Sequence, residues 1–293
     1  MIKKFALILP IITGVLFGSV GIFARKLNDA GFDNATTVFS RVFPAVIILL
    51  IFILIKDRSL LKIRGRDVFL LIMATLGGMF STNLLFNMAA IELSLSFAAV
   101  LLCVFPIYVL IFSKFAFKER ITARKLTCIA MTAAGCIMVS GIIGSNVEIS
   151  LMGLAVGILS GITNAYFSVM SKKLMSEGMA SYTMTFYCLL INGAALAPFV
   201  DYKAIFDFAS AAPLENTGFM LLHSLLIAVL TYVCFTTSLK YIDAGTASIL
   251  ASCEPVAAMV IGLIFFDEVP TVLSVAGLII TMAALTILCK SKE

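Results

Sequence analysis

Three ionisable side chains stand inside long apolar stretches of this 293-residue chain. If those stretches cross a bilayer, a carboxylate near the middle of one, as at Glu254, must be protonated, paired or exposed to water. Glu254 could contact a substrate amine, carry a proton, or stay protonated and bonded to a neighbouring helix. Arg41 could bind an anionic group or a carboxylate, or extend to the headgroups. His223, the only histidine, could relay protons or lie at the membrane interface.

Polar amides and tyrosines occur within the same stretches and could line a wetted cavity. Asn83 and Asn87 are four residues apart, so they share one face of a helix. Asn164 and Tyr166 lie together in another stretch, and Tyr232 lies in a third. Hydrogen bonding between neighbouring helices is the alternative role for each amide, and packing is the alternative for each tyrosine. We expect these five residues and the three ionisable ones to form a substrate-binding site.

The composition indicates which elements position these residues. Hydrophobic residues make up 61% of the chain and charged residues 13%, whereas a soluble domain has about a quarter charged residues. A soluble enzyme and a disordered chain are both excluded. A membrane-spanning helix needs about 20 apolar residues. Ten stretches qualify: Phe5–Phe23, Thr36–Ile55, Val68–Met88, Leu95–Ser113, Leu126–Ile143, Ile149–Met170, Ser181–Val200, Gly218–Ser238, Gly245–Phe266 and Thr271–Cys289.

The distribution of Lys and Arg predicts the orientation of these spans. With the N-terminus in the cytoplasm, 17 of the 21 basic residues fall on the cytoplasmic side and three on the other side. Basic residues concentrate on the cytoplasmic side of membrane proteins. We therefore expect a multi-pass protein of the cell membrane with both termini in the cytoplasm. The net charge of +5 is explained by this topology, and no nucleic-acid partner is expected.

The second half of the chain repeats the first at an offset of 149 residues. Pro106 then aligns with Pro255, and Glu119 with Glu268. This offset predicts two five-helix repeats, 1–145 and 146–293. Because five is an odd number, the second repeat enters the membrane from the opposite side. Inverted repeats are a recurring plan of secondary transporters.

Prolines and glycines within the spans predict bends and close packing. Pro106 and Pro255 should bend the fourth and ninth spans, either as fixed kinks or as gating points beside a cavity. Gly14 and Gly18 lie on one face of the first span, and small residues so spaced let helices approach closely. The sixth span has a similar stripe, and two tightly packed opposed helices would suit a rocking mechanism. That second stripe consists of Gly153, Gly157 and Gly161.

The chain resembles the EamA group of the drug/metabolite transporter superfamily. The fourth and ninth spans carry the resemblance, with small residues before a mid-span proline, then an aliphatic run and an acidic residue. The Glu254–Pro255 pair and Arg41 also match the pattern. The resemblance covers the whole chain and implies ten helices and export or exchange of small metabolites, amino acids or drugs.

We therefore predict a secondary-active or facilitative exporter of small amphipathic metabolites that works by alternating access. Protons are a candidate coupling ion, and we expect a monomer or weak homo-oligomer. No cofactor, metal or enzymatic activity is expected, because the spans offer neither a nucleophile–base set nor a histidine cluster. The alternative is a lipid flippase or scramblase, since inverted helical repeats also handle lipids.

Overall fold

The computed structural model describes residues 2–93, 95–140, 150–267 and 269–289, and all regular structure in these ranges is helical. Nine segments of the described chain are long and apolar enough to cross a bilayer. They correspond to nine of the ten predicted spans: Phe5–Asp29, Asn34–Lys56, Gly65–Glu92, Ala98–Phe117, Leu151–Ser176, Ser181–Phe199, Pro213–Ser238, Ala244–Phe266 and Val272–Cys289.

The remaining prediction, the fifth span, corresponds to the 17-residue helix Ala123–Val139. Its predicted end and several other predicted features fall outside the described residues: Ile143, Ile149, Glu268, Lys290 and Lys292.

Several spans consist of more than one helix. In chain order, the α-helices in the described residues are α1 (Ile2–Gly18), α2 (Val20–Asp29), α3 (Asn34–Lys56), α4 (Gly65–Ala74), α5 (Ser81–Glu92), α6 (Leu95–Cys103), α7 (Phe105–Phe117), α8 (Ala123–Val139), α9 (Leu151–Ser176), α10 (Ser181–Leu196), α11 (Tyr202–Ala211), α12 (Pro213–His223), α13 (Thr231–Ser238), α14 (Ala244–Ala251), α15 (Glu254–Phe266) and α16 (Val272–Cys289).

The fourth and ninth spans are each interrupted next to the predicted prolines. α6 ends before Val104 and α14 ends before Ser252, and Pro106 and Pro255 lie in the first turns of α7 and α15. Proline suits the first turn of a helix, because its fixed φ is helical and its missing N–H has no partner there. Each proline therefore begins a new half-helix.

Structural features recur at the 149-residue offset. Val104 precedes α7 and Cys253 precedes α15 in the same way. Lys118 and Asp267 end those helices in the left-handed conformation, with φ of 56° and 53°. A π-helical turn joins α4 to α5 at Thr75–Phe80, and another joins α12 to α13 at Ser224–Leu230. The repeat is thus visible in the backbone as well as in the sequence.

The bundle has two ends that differ in charge. We call the end that carries connections 57–64, 118–122, 177–180 and 239–243 the basic end, since most lysines and arginines lie there. The hydrogen bond from Thr183 Oγ1 of α10 to the Leu60 carbonyl (2.7 Å) holds connection 57–64 against its neighbouring helix. At the opposite end Lys26 pairs with Glu215 at 2.9 Å. The sequence did not predict α11, which lies at that opposite end.

The two glycine stripes pack against the interrupted spans, and not against each other. A Cβ at Gly14 would lie 2.5 Å from the carbonyl oxygen of Ala251, at the end of α14. A Cβ at Gly157 would lie 2.4 Å from the Leu101 side chain of α6. The glycines therefore allow close packing, as predicted, but the helices that they bring together are those of the broken spans. A helix break leaves irregular backbone, and a glycine surface lets a neighbouring helix cover it closely.

The other stripe residues behave alike. Gly18 faces the start of α15, Gly153 faces Leu93, and Gly161 faces Tyr108 of α7. Each stripe therefore packs a helix of one repeat against the broken span of the other repeat.

Candidate functional site

Arg41, Tyr232 and Glu254 come together from three spans. Arg41 lies on α3, Tyr232 on α13 and Glu254 at the start of α15. The three side chains interact electrostatically with one another. Each is partly buried and keeps some accessible surface. The structure thus brings an arginine, a glutamate and a phenol from three spans close to one another.

Local structure explains the position of Glu254. It occupies the first turn of α15, where the helix dipole and free N–H groups favour a carboxylate. The residue before it, Cys253, lies in the break and donates a weak hydrogen bond from its thiol to the Ile11 carbonyl at 3.6 Å. The first span therefore packs against the break and holds it in place, so Glu254 extends from a helix end with a fixed position.

The two charged groups have no protein partner within bonding distance. In the part of the chain that the structure describes, neither the Arg41 guanidinium nor the Glu254 carboxylate makes a hydrogen bond or ion pair. An uncompensated charge at this depth is costly. Both groups are therefore available to water or to a ligand with complementary charges.

Aromatic side chains pack around Tyr232. Its ring makes edge contacts with Phe17 at 5.7 Å and with Phe167 at 6.0 Å between ring centroids. Tyr232 also lines a crevice that is too narrow for a water molecule. The other lining residues are mostly apolar, such as Met79, Met184 and Cys188, and the hydroxyl-bearing ones are Thr185 and Thr236. The surroundings of this tyrosine are therefore mainly apolar.

His223 interacts electrostatically with Arg41 and is enclosed by protein. Its side chain is fully buried, with 0% exposure, and its ring stacks on Phe23 at 4.6 Å. Among the described residues neither ring nitrogen has a hydrogen-bond partner. The predicted role of His223 in the site stays a prediction.

The predicted amides lie on the third and sixth spans. Asn83 Nδ2 donates to the Met79 carbonyl in its own helix at 2.9 Å, so it does not bridge two helices. The bridge is made instead by Thr82 and Thr163, whose hydroxyl groups are 2.9 Å apart. Among the described residues, no hydrogen bond or ion pair links the other predicted residues of these spans to Glu254. Those residues, all partly buried, are Asn87, Asn164 and Tyr166.

The halves of the two broken spans have different neighbours at the two ends of the bundle. At the basic end, α7 packs directly against α14. At the opposite end, α6 packs against α5, α8 and α9, and α15 packs against α1, α2 and α8. The halves at the basic end therefore contact each other, whereas the halves at the opposite end share α8 as a neighbour.

A larger cleft, of about 240 Å³, lies at the basic end and is separate from these residues. Its lining comes from connection 57–64 and the α9–α10 turn, and includes Lys62, Arg64, Asp67 and Glu177. It shares no residue with the Arg41–Tyr232–Glu254 group. The Arg41–Tyr232–Glu254 group is the candidate functional site, because these ionisable side chains make no hydrogen bond or ion pair among the described residues.

Comparison with known proteins agrees with this arrangement. The family model described as the EamA-like transporter family matches residues 4–141 and again residues 151–289. The chain belongs to this family. The two EamA matches coincide with the two halves that share the π-turns and broken spans. The protein is thus a multi-pass membrane transporter with two EamA repeats, and not an enzyme.

Several relatives span nearly the whole EamA chain. The uncharacterized transporter YxxF of Bacillus subtilis is 24% identical, with 97% of this chain and 89% of the relative aligned. An uncharacterized transporter of Archaeoglobus fulgidus is 26% identical over 91% of this chain and 90% of its own length. The pseudopaline exporter CntI of Pseudomonas aeruginosa is 23% identical over 99% and 98%.

One solved crystal structure superimposes on the EamA chain with a TM-score of 0.78 at 14% identity. The superposition covers 96% of this chain and 95% of the other. At this identity the likeness shows a shared fold alone.

Proposed function

We propose that this transporter exports small amphipathic metabolites that carry both a cationic and an anionic group, such as amino acids or drug-like zwitterions. The observation that carries the proposal is the unpaired Arg41 and Glu254 beside Tyr232. A substrate carboxylate would bind the guanidinium, and a substrate ammonium group would bind the Glu254 carboxylate. The aromatic side chains around Tyr232 would cover the apolar part of the substrate.

The charges explain why a zwitterion fits better than a simple ion. A cation alone would leave Arg41 unpaired and repelled in an apolar space, and an anion alone would do the same to Glu254. A zwitterion satisfies both groups at once and brings no net charge into the membrane. Sugar phosphates fit poorly, since the two or more negative charges of a phosphate would face one arginine.

Lys and Arg positions support an orientation for ten spans, with the basic end and both termini in the cytoplasm. In the conformation described, the site would then be closed towards the cytoplasm and would release substrate to the outside. Alternating access between this state and one open to the basic end would move substrate outwards. A relative of nearly equal length is named as an exporter, which supports this direction.

Energy coupling belongs to the same proposal. When the substrate leaves, the Glu254 carboxylate loses its cationic partner, and a proton from the outside could neutralise it during the return step. Export would then be coupled to proton entry. We expect the transport unit to be a monomer or a weak homo-oligomer, because the site lies within one chain.

A binding experiment with matched ligands tests the proposal. Purified protein is heated with amino acids, nucleosides, organic cations, polyamines or short-chain lipids, since a ligand of the folded state raises the unfolding temperature. Each zwitterion that binds is compared with its N-acetyl and methyl ester forms. Glu254→Gln should weaken binding of the zwitterion about 10- to 100-fold, which corresponds to the free energy of one charge-assisted hydrogen bond. It should barely change the affinity for the N-acetyl form, which has no ammonium group.

Arg41→Gln should show the converse pattern. It should weaken binding of the zwitterion but not binding of the methyl ester, which has no carboxylate. Glu215→Gln, at the opposite end, is the control and should change neither. Equal effects of Glu254→Gln on the zwitterion and its N-acetyl form would contradict the proposed contacts. Stabilisation by lipids alone would instead support a flippase or scramblase.

A further inference from the structure

A group of charged side chains joins the two repeats at the basic end, away from the substrate site. Lys125, on α8 of the first repeat, forms an ion pair with Asp243, which precedes α14 of the second repeat. The Lys125 side chain is only 5% exposed. The same Asp243 oxygen accepts a hydrogen bond from Thr246 Oγ1 at 2.8 Å. A largely buried pair of this kind has a fixed geometry and little screening by salt.

Glu119 makes a second bond between the repeats. It follows Lys118, whose left-handed conformation ends α7 and turns the chain towards the second repeat. Its Oε1 accepts a hydrogen bond from the Ala244 backbone N–H at 3.2 Å, at the first residue of α14. Its Oε2 is buried and has no hydrogen-bond partner among the described residues. Glu119 therefore caps α14 from the other repeat.

Lys172 holds the same connection from the other side. Its Nζ donates to the carbonyl oxygens of Leu239 and Ile242, at 2.7 and 2.8 Å. These carbonyls belong to the chain between α13 and α14, which is therefore fixed on one side by α9 and on the other by the first repeat. The connection cannot move away from α8 without breaking charged contacts.

These contacts surround the place where α7 and α14 meet at the basic end. Next to them α7 packs against α14, and a Cβ at Gly245 would lie 2.3 Å from the Leu110 side chain. Leu110 is 3% exposed. Opening of the basic end must separate these two half-helices, and with them the ion pair and the helix cap.

At the repeat offset the sequence does not reproduce this set of charges. At 149 residues from Asp243, Lys125 and Lys172 the sequence has Ser94, Ser274 and Phe23. Glu119 alone has an acidic counterpart, Glu268, which lies outside the described residues. At the opposite end the pair Lys26–Glu215 is exposed, with side-chain exposures of 40% and 73%. Exposed pairs contribute little to stability.

We propose that Glu119, Lys125, Lys172 and Asp243 form an ionic latch that makes the state closed at the basic end the resting state of the empty transporter. The proposal rests on the alternating access of the proposed function. Because Lys125, Lys172 and Asp243 have no charged counterparts in sequence at the repeat offset, the two closed states differ in energy even though their folds are related by the repeat. Substrate binding from the basic side must then be preceded by opening of the latch, which sets the rate of loading.

The test measures opening of the basic end without substrate. Leu110→Cys places a thiol in the α7–α14 contact, where the latch should protect it from a polar maleimide in nanodiscs. Modification at position 110 is read by peptide mass spectrometry, so the native cysteines do not interfere. Asp243→Asn should raise the modification rate at least tenfold. The control Glu215→Gln, which breaks the exposed pair at the opposite end, should leave the rate unchanged.

Two further variants cover the case in which Asp243→Asn does not fold. Thr246→Val removes only one hydrogen bond to Asp243 and should give an intermediate rate. Exchange of the pair, as Lys125→Asp with Asp243→Lys, should restore protection. A folded Thr246→Val or Asp243→Asn protein with the parent rate would overturn the proposal. Because no substrate is present, failure of the zwitterion site would leave this result intact.

Discussion

Gly18 provides a sharp test of how the first span supports the site. It is the last residue of α1, and a Cβ added there would lie 2.7 Å from both the Ala257 Cβ and the Glu254 carbonyl oxygen. Comfortable contacts between carbon atoms begin at about 3.5 Å, so Gly18→Ala must push the first turn of α15 away by roughly 0.8 Å. The atoms that clash belong to the backbone or to an alanine and cannot rotate aside.

Overpacking of this kind costs about 1–3 kcal/mol. Alanine gains at most about 1 kcal/mol in helix propensity over glycine, and less at a helix end. We therefore expect a net loss of about 1–2 kcal/mol, which for a chain of this size lowers the unfolding temperature by roughly 2–8 °C. Gly21→Ala is the control, because nothing lies within 4 Å of a Cβ at that position.

The assay is the fraction of protein that stays monodisperse after heating in detergent, measured for both variants and the parent. Gly18→Ala should melt earlier than Gly21→Ala, and it should also weaken zwitterion binding, since it displaces Glu254 from Arg41. Equal melting temperatures for the two variants would refute the close approach of the first span to α15.

Two other changes probe the basic end. Burial raises the pKa of Glu119 above its ordinary value, and the Asp243 charge raises it further; the stabilisation from this proton is full below that ordinary value and is lost as the pH rises through the raised pKa. Asp243 has a lowered pKa, because Lys125 and Thr246 outweigh the opposing effect of its burial, so it stays charged in this range. Glu119→Gln should therefore flatten the fall in unfolding temperature as the pH rises above the ordinary pKa of a glutamate, and an unchanged slope would contradict the buried carboxyl. Tyr187→Phe removes the 2.7 Å hydrogen bond to the Leu61 carbonyl and should cost about 1 kcal/mol, measured by thermal unfolding and by faster proteolysis of connection 57–64; an unchanged cleavage rate would count against that contact.

The sequence predicts the spans well because their signal is local. A run of about 20 apolar residues can satisfy its backbone in lipid only as a helix, and all nine spans of the described residues were expected. The helix breaks were also foreseeable, since Pro106 and Pro255 mark them directly. Glu254 and Arg41 were recognisable singly, because an ionisable residue inside a span is rare enough to stand out.

Contacts between spans were harder to predict. A span that is apolar on every side carries no pattern that says which face meets which neighbour. The glycine stripes thus indicated close packing without naming their partners, which for four of the five glycines lie in α6, α7, α14 and α15. Lys125 and Asp243 were missed for a related reason. Residues near the span ends signal topology by their charge, but the chain gives no sign that two of them meet across the repeats.

The paired π-turns bear on how the molecule arose. A π-turn accommodates one more residue than an α-helical turn, so it is the mark left by a single-residue insertion. Thr75–Phe80 and Ser224–Leu230 begin 149 residues apart, at equivalent places in the two halves. The simplest history is one insertion in an ancestral five-helix unit, followed by duplication. The break at Ser19 has no counterpart in the continuous helix Leu151–Ser176, so the two copies diverged there after the gene doubled.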